Sequence, residues 1–325
     1  MKYKPFHIGS IEIDFPVILA PLAGYSDAPF RSICRQLGAP YATSEMVLDR
    51  CVTAKTRKPR PILEKWPNES PVAAQIVGDD PEEMVAAAKA MLQRGYDVID
   101  MNFACPVHKA LSRRRGGYMM SQPQRVLEII RAVRDAIPSP VTLKVRRKFR
   151  DEDSEENFWQ IARGAREAGL DAITVHARSV EQKYTGVADW DFLRRVKQQF
   201  QDWTVIGSGD VLTAAAALKM LDETGVDAAA VARGVLGNPW IFRQARELAA
   251  GKPEKWPSIA EQKAIMLRHM DDVVRLYGLK GPGMMRKFGI KYARLHPQAK
   301  KVRMAFVNIK TQEQWNAVLD EYYNE

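Results

Sequence analysis

At 325 residues the chain can bury a sizeable core and hold one large α/β domain beside a small one, and its 46% hydrophobic and 27% charged residues are ordinary for a soluble globular protein. Lys and Arg number 49 against 39 Asp and Glu, a net charge of +10 that favours a polyanionic partner. Cys34, Cys51 and Cys105 are widely spaced with no metal-ligand pattern, so neither a disulfide framework nor a metal site is expected. The N-terminus lacks the apolar core of a signal peptide, and no apolar run approaches the roughly 18 residues of a membrane span. A cytoplasmic protein with no membrane partner is the expectation.

Strand-like apolar runs recur at 17–20, 41–43, 72–77, 98–101, 141–145, 172–175, 204–206 and 228–231. Helical spacing separates them, as at 82–94, 123–136, 158–168 and 214–224. Eight strands alternating with helices predict a (β/α)8 TIM barrel. A doubly wound sheet is the alternative, although no G-x-G-x-x-G follows the first strand.

Chemistry is expected at the strand ends, where α/β folds place it. The first strand runs into Pro21-Leu22-Ala23-Gly24, by itself an ordinary βα turn. Gln75 is a carboxamide in an apolar run and must find a partner or cost about 1 to 3 kcal/mol. Asn102 and Cys105 lie on a loop ended by Pro106, with Lys109, Arg113, Arg114 and Arg115 close behind. A lone cysteine is most often packing, but a carboxamide three residues before a thiol suits recognition and proton transfer, and nearby cations lower a thiol's pKa. Lys144 would have a buried stem, which is rare unless the charge is used. Arg146, Arg147, Lys148 and Arg150 extend the same mouth with positive charge. His176 at a strand end is, alone, more often structural than functional.

The last two strands end in Gly207-Ser208-Gly209-Asp210 and Ala232-Arg233-Gly234. These are the loops where barrels bind phosphate, and the pair, with Arg233, points to a phosphorylated cofactor. A linker at 251–258 precedes a helical segment in which Met266, Met270, Val273, Val274 and Tyr277 share one spacing. From 252 onward 14 basic residues face 8 acidic ones, and 280–310 carries nine basic residues and no acidic one. Such a run is often only a solvated face; here Lys287 and Lys291 stand one turn apart among Phe288, Tyr292 and His296, a pattern suited to phosphate contacts.

The run Asn102-Phe103-Ala104-Cys105-Pro106 resembles the active-site loop of the dihydrouridine synthases, flavin enzymes that reduce uracil in RNA, reading NFACP where NMGCP is commoner. Thr174-Val175-His176-Ala177-Arg178 resembles the family's V-H-x-R segment, the two glycine loops its GNGD and GRG, and Arg286-Lys287-Phe288 its R-K-H. The resemblance runs from about 17 to 307. It implies an FMN-binding barrel over 1–250 and a helical RNA-binding domain over 251–325. Pro21, Leu22 and Ala23 would lie against the flavin, Gln75 at its pyrimidine edge, and Lys144 near N1. His176 would contact the flavin too, and Ser208, Gly209, Asp210, Ala232 and Arg233 would complete the cofactor site. Asn102 would touch flavin or base, and Arg178 would face the substrate. Arg286, Lys287, Lys291 and Arg294 would hold RNA, tRNA foremost. NADPH would reduce FMN, hydride would pass from flavin N5 to uracil C6, and Cys105 would protonate C5. A monomer is expected. A flavin barrel acting on a small molecule, and an RNA-binding protein with a residual flavin site, remain open alternatives.

Overall fold

The computed structural model describes residues 2–56 and 60–324. Met1 and Glu325, the outer ends of the two expected domains, lie outside the described residues. The chain opens with a hairpin, β1 (Phe6–Ile8) and β2 (Ile11–Ile13), paired antiparallel. Strands of three residues are too short to announce themselves by alternation, and neither was expected. Phe6, Ile8 and Ile13 are buried with Val98, Ala172 and Ala228 from the starts of later strands, so the hairpin stoppers the barrel's N-terminal end.

The barrel is built from β3 (Val17–Leu19), β4 (Ala42–Thr43), β6 (Val72–Val77), β7 (Val98–Asn102), β8 (Val141–Arg146), β9 (Ala172–His176), β10 (Thr204–Ser208) and β11 (Ala228–Val231). Each is parallel to its neighbours, β4 pairs with β6, and β11 returns to β3, closing eight strands into a ring. A two-residue strand, β5 (Val47–Leu48), adds to the upper part of β6. The expected eight strands are therefore the eight observed.

Helices α1 (Ala28–Gln36), α2 (Asp49–Thr53), α3 (Pro81–Gln93), α4 (His108–Leu111), α5 (Pro123–Ala136), α6 (Glu156–Glu167), α7 (Trp190–Gln199), α8 (Ala214–Thr224) and α9 (Ile241–Ala249) accompany the strands. Side-chain caps fix several starts: Asp27 accepts from Phe30 N, Asp80 from Glu82 N and Glu83 N, and Thr213 from Ala216 N. None of the described helices is long and apolar enough to cross a membrane.

Strand alternation positions the site. Ile99, Met101, Val141, Leu143, Val145, Ile173 and Val175 pack outward beneath the helices. With a period of two, Gln75, Asp100, Asn102, Thr142, Lys144, Arg146, Thr174 and His176 must then point into the barrel. The lumen is thus apolar at its stoppered end and polar at its mouth.

After residues 251–257, which form no regular element, Ser258 and Glu261 make a capping box that starts α10 (Ile259–Tyr277). Then follow α11 (Gly281–Tyr292), α12 (Ala299–Phe306) and α13 (Gln312–Tyr322). These helices share one core with the barrel. Phe288 meets Tyr25 edge-on at 5.2 Å, Phe30 at 5.3 Å and His269 at 4.5 Å, and Tyr277 Oη donates to Asp27 at 3.0 Å. The aromatic setting explains why a phenylalanine serves where the resembled family has histidine. Phe288→Ala should lower the unfolding free energy by about 3 to 5 kcal/mol, the usual cost of truncating a buried aromatic. Urea unfolding checks this, and a loss under about 1 kcal/mol would mean that the junction is not packed as a core.

Candidate active site

A cleft opens at the C-terminal ends of the strands, where barrel enzymes place their chemistry. Its walls include all eleven expected cofactor positions, Pro21, Leu22, Ala23, Gln75, Lys144, His176, Ser208, Gly209, Asp210, Ala232 and Arg233, together with Asn102 and Cys105. Residues separated by more than 200 positions meet there because parallel strands all end at one rim.

One side of the cleft is a chain of hydrogen bonds rooted in Asp100. Its buried carboxyl accepts from Gln75 Nε2 at 2.6 Å and from Thr142 Oγ1 at 2.7 Å, and burial raises its pKa. Gln75 Oε1 accepts from Asn102 Nδ2 at 2.7 Å. Asn102 Oδ1 then accepts from the N–H groups of Ala104 at 3.0 Å and Cys105 at 2.9 Å. The Asn-x-x-Cys spacing thereby acquires a cause: a side-chain carbonyl three residues ahead of the thiol catches the loop's free amides and sets its shape. Ala104 has no left-handed backbone, so the methyl that separates NFACP from the commoner sequence is accommodated. Sequence reasoning missed Asp100, whose signal was its place two residues before Asn102 on the same strand face.

Burial pushes the half-buried Cys105 thiol up, against the opposing pull of the Val107 N–H, Arg146 and Lys144. The lowered thiol pKa expected from the basic cluster is overturned. Lys109, Arg113 and Arg114 are exposed, and Arg115 turns onto Asp79 at 2.6 Å and Asp49 at 4.0 Å. The cations that do approach the thiol come from the next strand. Arg146 Nε donates to Ala104 O at 2.9 Å and its Nη1 to Ser179 O and Lys183 O, while burial brings its pKa down to about 10. Arg147 pairs with Asp189 and Arg150 with Glu152, so of the expected extension only Arg146 serves the mouth. Burial therefore favours the protonated form of the Cys105 thiol.

Lys144 is opposite Asn102 in the β7–β8 register, and burial, assisted by Arg146, lowers its pKa to about 8. Its ammonium has no hydrogen bond among the described residues. His176 is held neutral: burial, then the charges of Lys144, Arg146, Arg178 and Arg233, keep its pKa far below the usual imidazole range. Its Nδ1 is buried without a partner. Such unsatisfied groups aimed at a cleft mark a place for a ligand's polar atoms.

The two glycine loops abut. A Cβ on Gly234 would lie 2.6 Å from Val211 O, and one on Gly209, at φ +126°, 2.6 Å from Ala188 Cβ. Asp210 binds Arg178 at 2.7 Å, the Ala188 N–H at 2.8 Å and Arg233 at 3.1 Å. Burial works against its charge, but these bonds outweigh burial and leave its pKa below the ordinary carboxylate range. Arg233 is 40% exposed at the rim, its guanidinium 5.1 Å from the ring of Tyr184.

Arg178 departs from its expected place on the substrate side. It is 1% exposed, does not line the cleft, and donates through Nε to Thr185 O and through Nη2 to Gly186 O and Asp210. It staples the Tyr184 loop to the Asp210 loop. The C-terminal cations also lie outside the cleft. Arg286 is exposed; Lys287 donates to Gly24 O and sits 4.9 Å over the Tyr25 ring. Arg294 reaches Leu236 O at 3.3 Å, and Lys291 is half-buried beside Gly237. Met46, Arg146, Tyr184, Val211 and Leu212 also line the cleft without having been proposed as site residues.

Fold and mouth together define a (β/α)8-barrel enzyme. In fold alone the chain is similar to a histamine dehydrogenase from Rhizobium sp. 4-9 (TM-score 0.59, 14% identity, 83% of this chain) and to a 2-naphthoyl-CoA reductase (0.58, 11%, 77%), spanning about half of each of those chains. The chain belongs to the dihydrouridine synthase family, whose model, described as dihydrouridine synthase (Dus), matches residues 18–325. Relatives include proteins named tRNA-dihydrouridine synthase B: one from Xanthomonas campestris pv. campestris, 34% identical over 98% of this chain and 95% of its own length, and one from Shewanella oneidensis, 33% identical over 98% of each. The protein is accordingly a flavin-dependent oxidoreductase that reduces uridine to dihydrouridine in RNA.

The depressed pKa of Lys144 has a consequence for stability. A lysine harder to charge when folded opposes folding while charged, so the apoprotein should gain stability as pH rises from about 8 towards 10.5. Lys144→Met should stabilise the apoprotein at pH 7 by on the order of 2 kcal/mol. That advantage should shrink across the same window, which urea melts at pH 7 and pH 10 would measure.

Proposed function

We propose that the protein binds FMN, takes its electrons from NADPH and reduces a uridine of tRNA, with residues 1–250 forming the flavin barrel and 251–325 the RNA-binding helices. The observation that carries this reading is the convergence on one cleft of a protonated thiol, an unbonded cation, a neutral imidazole and two abutting glycine loops. Those features fit a flat ring with polar edges that ends in one phosphate. The orphaned His176 Nδ1 and the Lys144 ammonium would meet the ring, while Ser208, Gly209, Ala232 and Arg233 would hold the phosphate. Pro21, Leu22 and Ala23 offer backbone and apolar contact, and Asp210 orients Arg233.

When bound and reduced, a flavin in this cleft would supply the hydride for uracil C6. The protein's own part is to hold groups in place. Cys105 Sγ carries the proton for C5, kept there by the burial that raises its pKa, and Asn102 holds its loop. Lys144 offers a desolvated cation to negative charge developing on the ring. His176 stays neutral and so can offer a donor without adding charge. Arg178 acts through Asp210 and the Tyr184 loop as a positioning residue. Outside the cleft, Arg286, Lys287, Lys291 and Arg294 supply positive charge to an RNA backbone, with Lys287 bonded to the loop that carries Leu22 and Ala23.

The purified protein should carry non-covalent FMN; FAD, or no flavin after incubation with excess FMN, would contradict the cofactor. Cys105→Ala should keep its flavin and its reduction by NADPH, yet its reoxidation by tRNA should slow by roughly 10² to 10⁴, the range for losing a general acid. Cys105→Ser should recover little. A cysteine that merely packs predicts instead that both half-reactions change together, with Ser and Ala alike.

A further inference from the structure

The excursion after Cys105 carries positive charge that the chemistry in the cleft does not use. Residues 107–114 leave the end of β7, turn once through α4 and return through Arg114. Lys109, Arg113 and Arg114 are exposed, and none makes an ion pair or side-chain hydrogen bond among the described residues. Several cations on the outer helices are paired instead: Arg125 with Glu128 at 2.7 Å, Arg163 with Glu156 at 3.0 Å and Arg195 with Glu155 at 2.8 Å. No acidic residue occurs between Asp100 and Glu128, so this ridge has no carboxylate of its own to neutralise it.

The ridge is held at both ends against the residue that delivers the proton. Val107 and Pro106 line the cleft at one end. At the other, Arg115 is locked onto Asp79, the Gly117 N–H donates to Cys105 O at 2.9 Å, and a Cβ on Gly116 would lie 2.9 Å from Cys105 Cβ. Arg114 adopts a left-handed φ of +57°, a conformation that glycine takes freely and that a side chain disfavours.

Placement decides what such a ridge can meet. Its strand, β7, stands three places round the ring from β3, whose loop receives Lys287 of α11. Cations therefore flank the mouth from two sides. That layout suits a polyanion lying across the opening better than a mononucleotide inside it. A base must leave its stack to enter a cleft, which leaves backbone phosphates on either side of it to be held.

We propose that Lys109, Arg113 and Arg114 form a second phosphate-binding ridge that grips the RNA backbone beside the uridine entering the cleft. The inference rests on the RNA-modifying reading above. Contacts of this kind fix the placement of the strand and carry no sequence preference. Because the ridge and Cys105 share one anchored loop, gripping the backbone also sets the uracil against the thiol.

The test uses the full-length protein, an unmodified tRNA transcript and a salt series. Lys109→Gln/Arg113→Gln/Arg114→Gln is compared with wild type and with Lys4→Gln/Lys89→Gln/Arg131→Gln, which removes equal charge from exposed positions on other elements. Flavin content and melting temperature verify folding. The ridge variant should bind the transcript about tenfold or more weakly, with the slope of log affinity against log salt shallower by about two to three; the control should change much less. Equal losses in both triple variants would reduce the ridge to net charge and overturn the proposal. So would unchanged binding by the ridge variant while Arg286→Gln/Lys291→Gln weakens it, a result that leaves the RNA reading intact. Failure of the wild type to bind the transcript would instead remove the reading on which the proposal stands.

Discussion

The mouth depends on one buried carboxyl. Asp100 fixes Gln75, Gln75 fixes Asn102, and Asn102 holds the amides of Ala104 and Cys105. Each link lies inside the barrel, where a polar group left without a partner costs about 1 to 3 kcal/mol, so none can turn away without unsettling the next. The thiol loop has little regular structure of its own. Its geometry is borrowed from the strands beneath it, which is how a loop can hold a reactive atom as firmly as a sheet does.

Charge is arranged with equal economy. Lys144 and Arg146 are buried at the mouth with pKa values pushed down, while the neighbouring imidazole is kept neutral by its burial and then by those same charges. Two desolvated cations with incomplete compensation form a standing demand for an anion. Binding a phosphorylated, electron-accepting ring answers that demand, so affinity for the cofactor and strain in the empty barrel are two aspects of one electrostatic fact.

Most of the barrel could be read from the chain because its strands are buried on both faces and appear as apolar runs. Some inward polar residues, Gln75, Lys144 and His176, stood out against those runs, whereas Asp100 did not. What stayed hidden depended on contacts between residues far apart in sequence. Arg178 looked like a substrate ligand beside His176, yet its partner is Asp210, 32 positions on. Lys109, Arg113 and Arg114 looked like neighbours of the thiol, yet they point to solvent while Arg146, from the next strand, lies close. Proximity along a chain does not specify which way a loop side chain faces. The opening hairpin escaped because three residues cannot display a period of two.

That hairpin also governs traffic. Among the described residues, Phe6, Ile8 and Ile13 seal the floor, so the barrel is a blind shaft that opens at its polar rim. A uridine in RNA therefore has to enter from the strand ends, the side on which Cys105 stands.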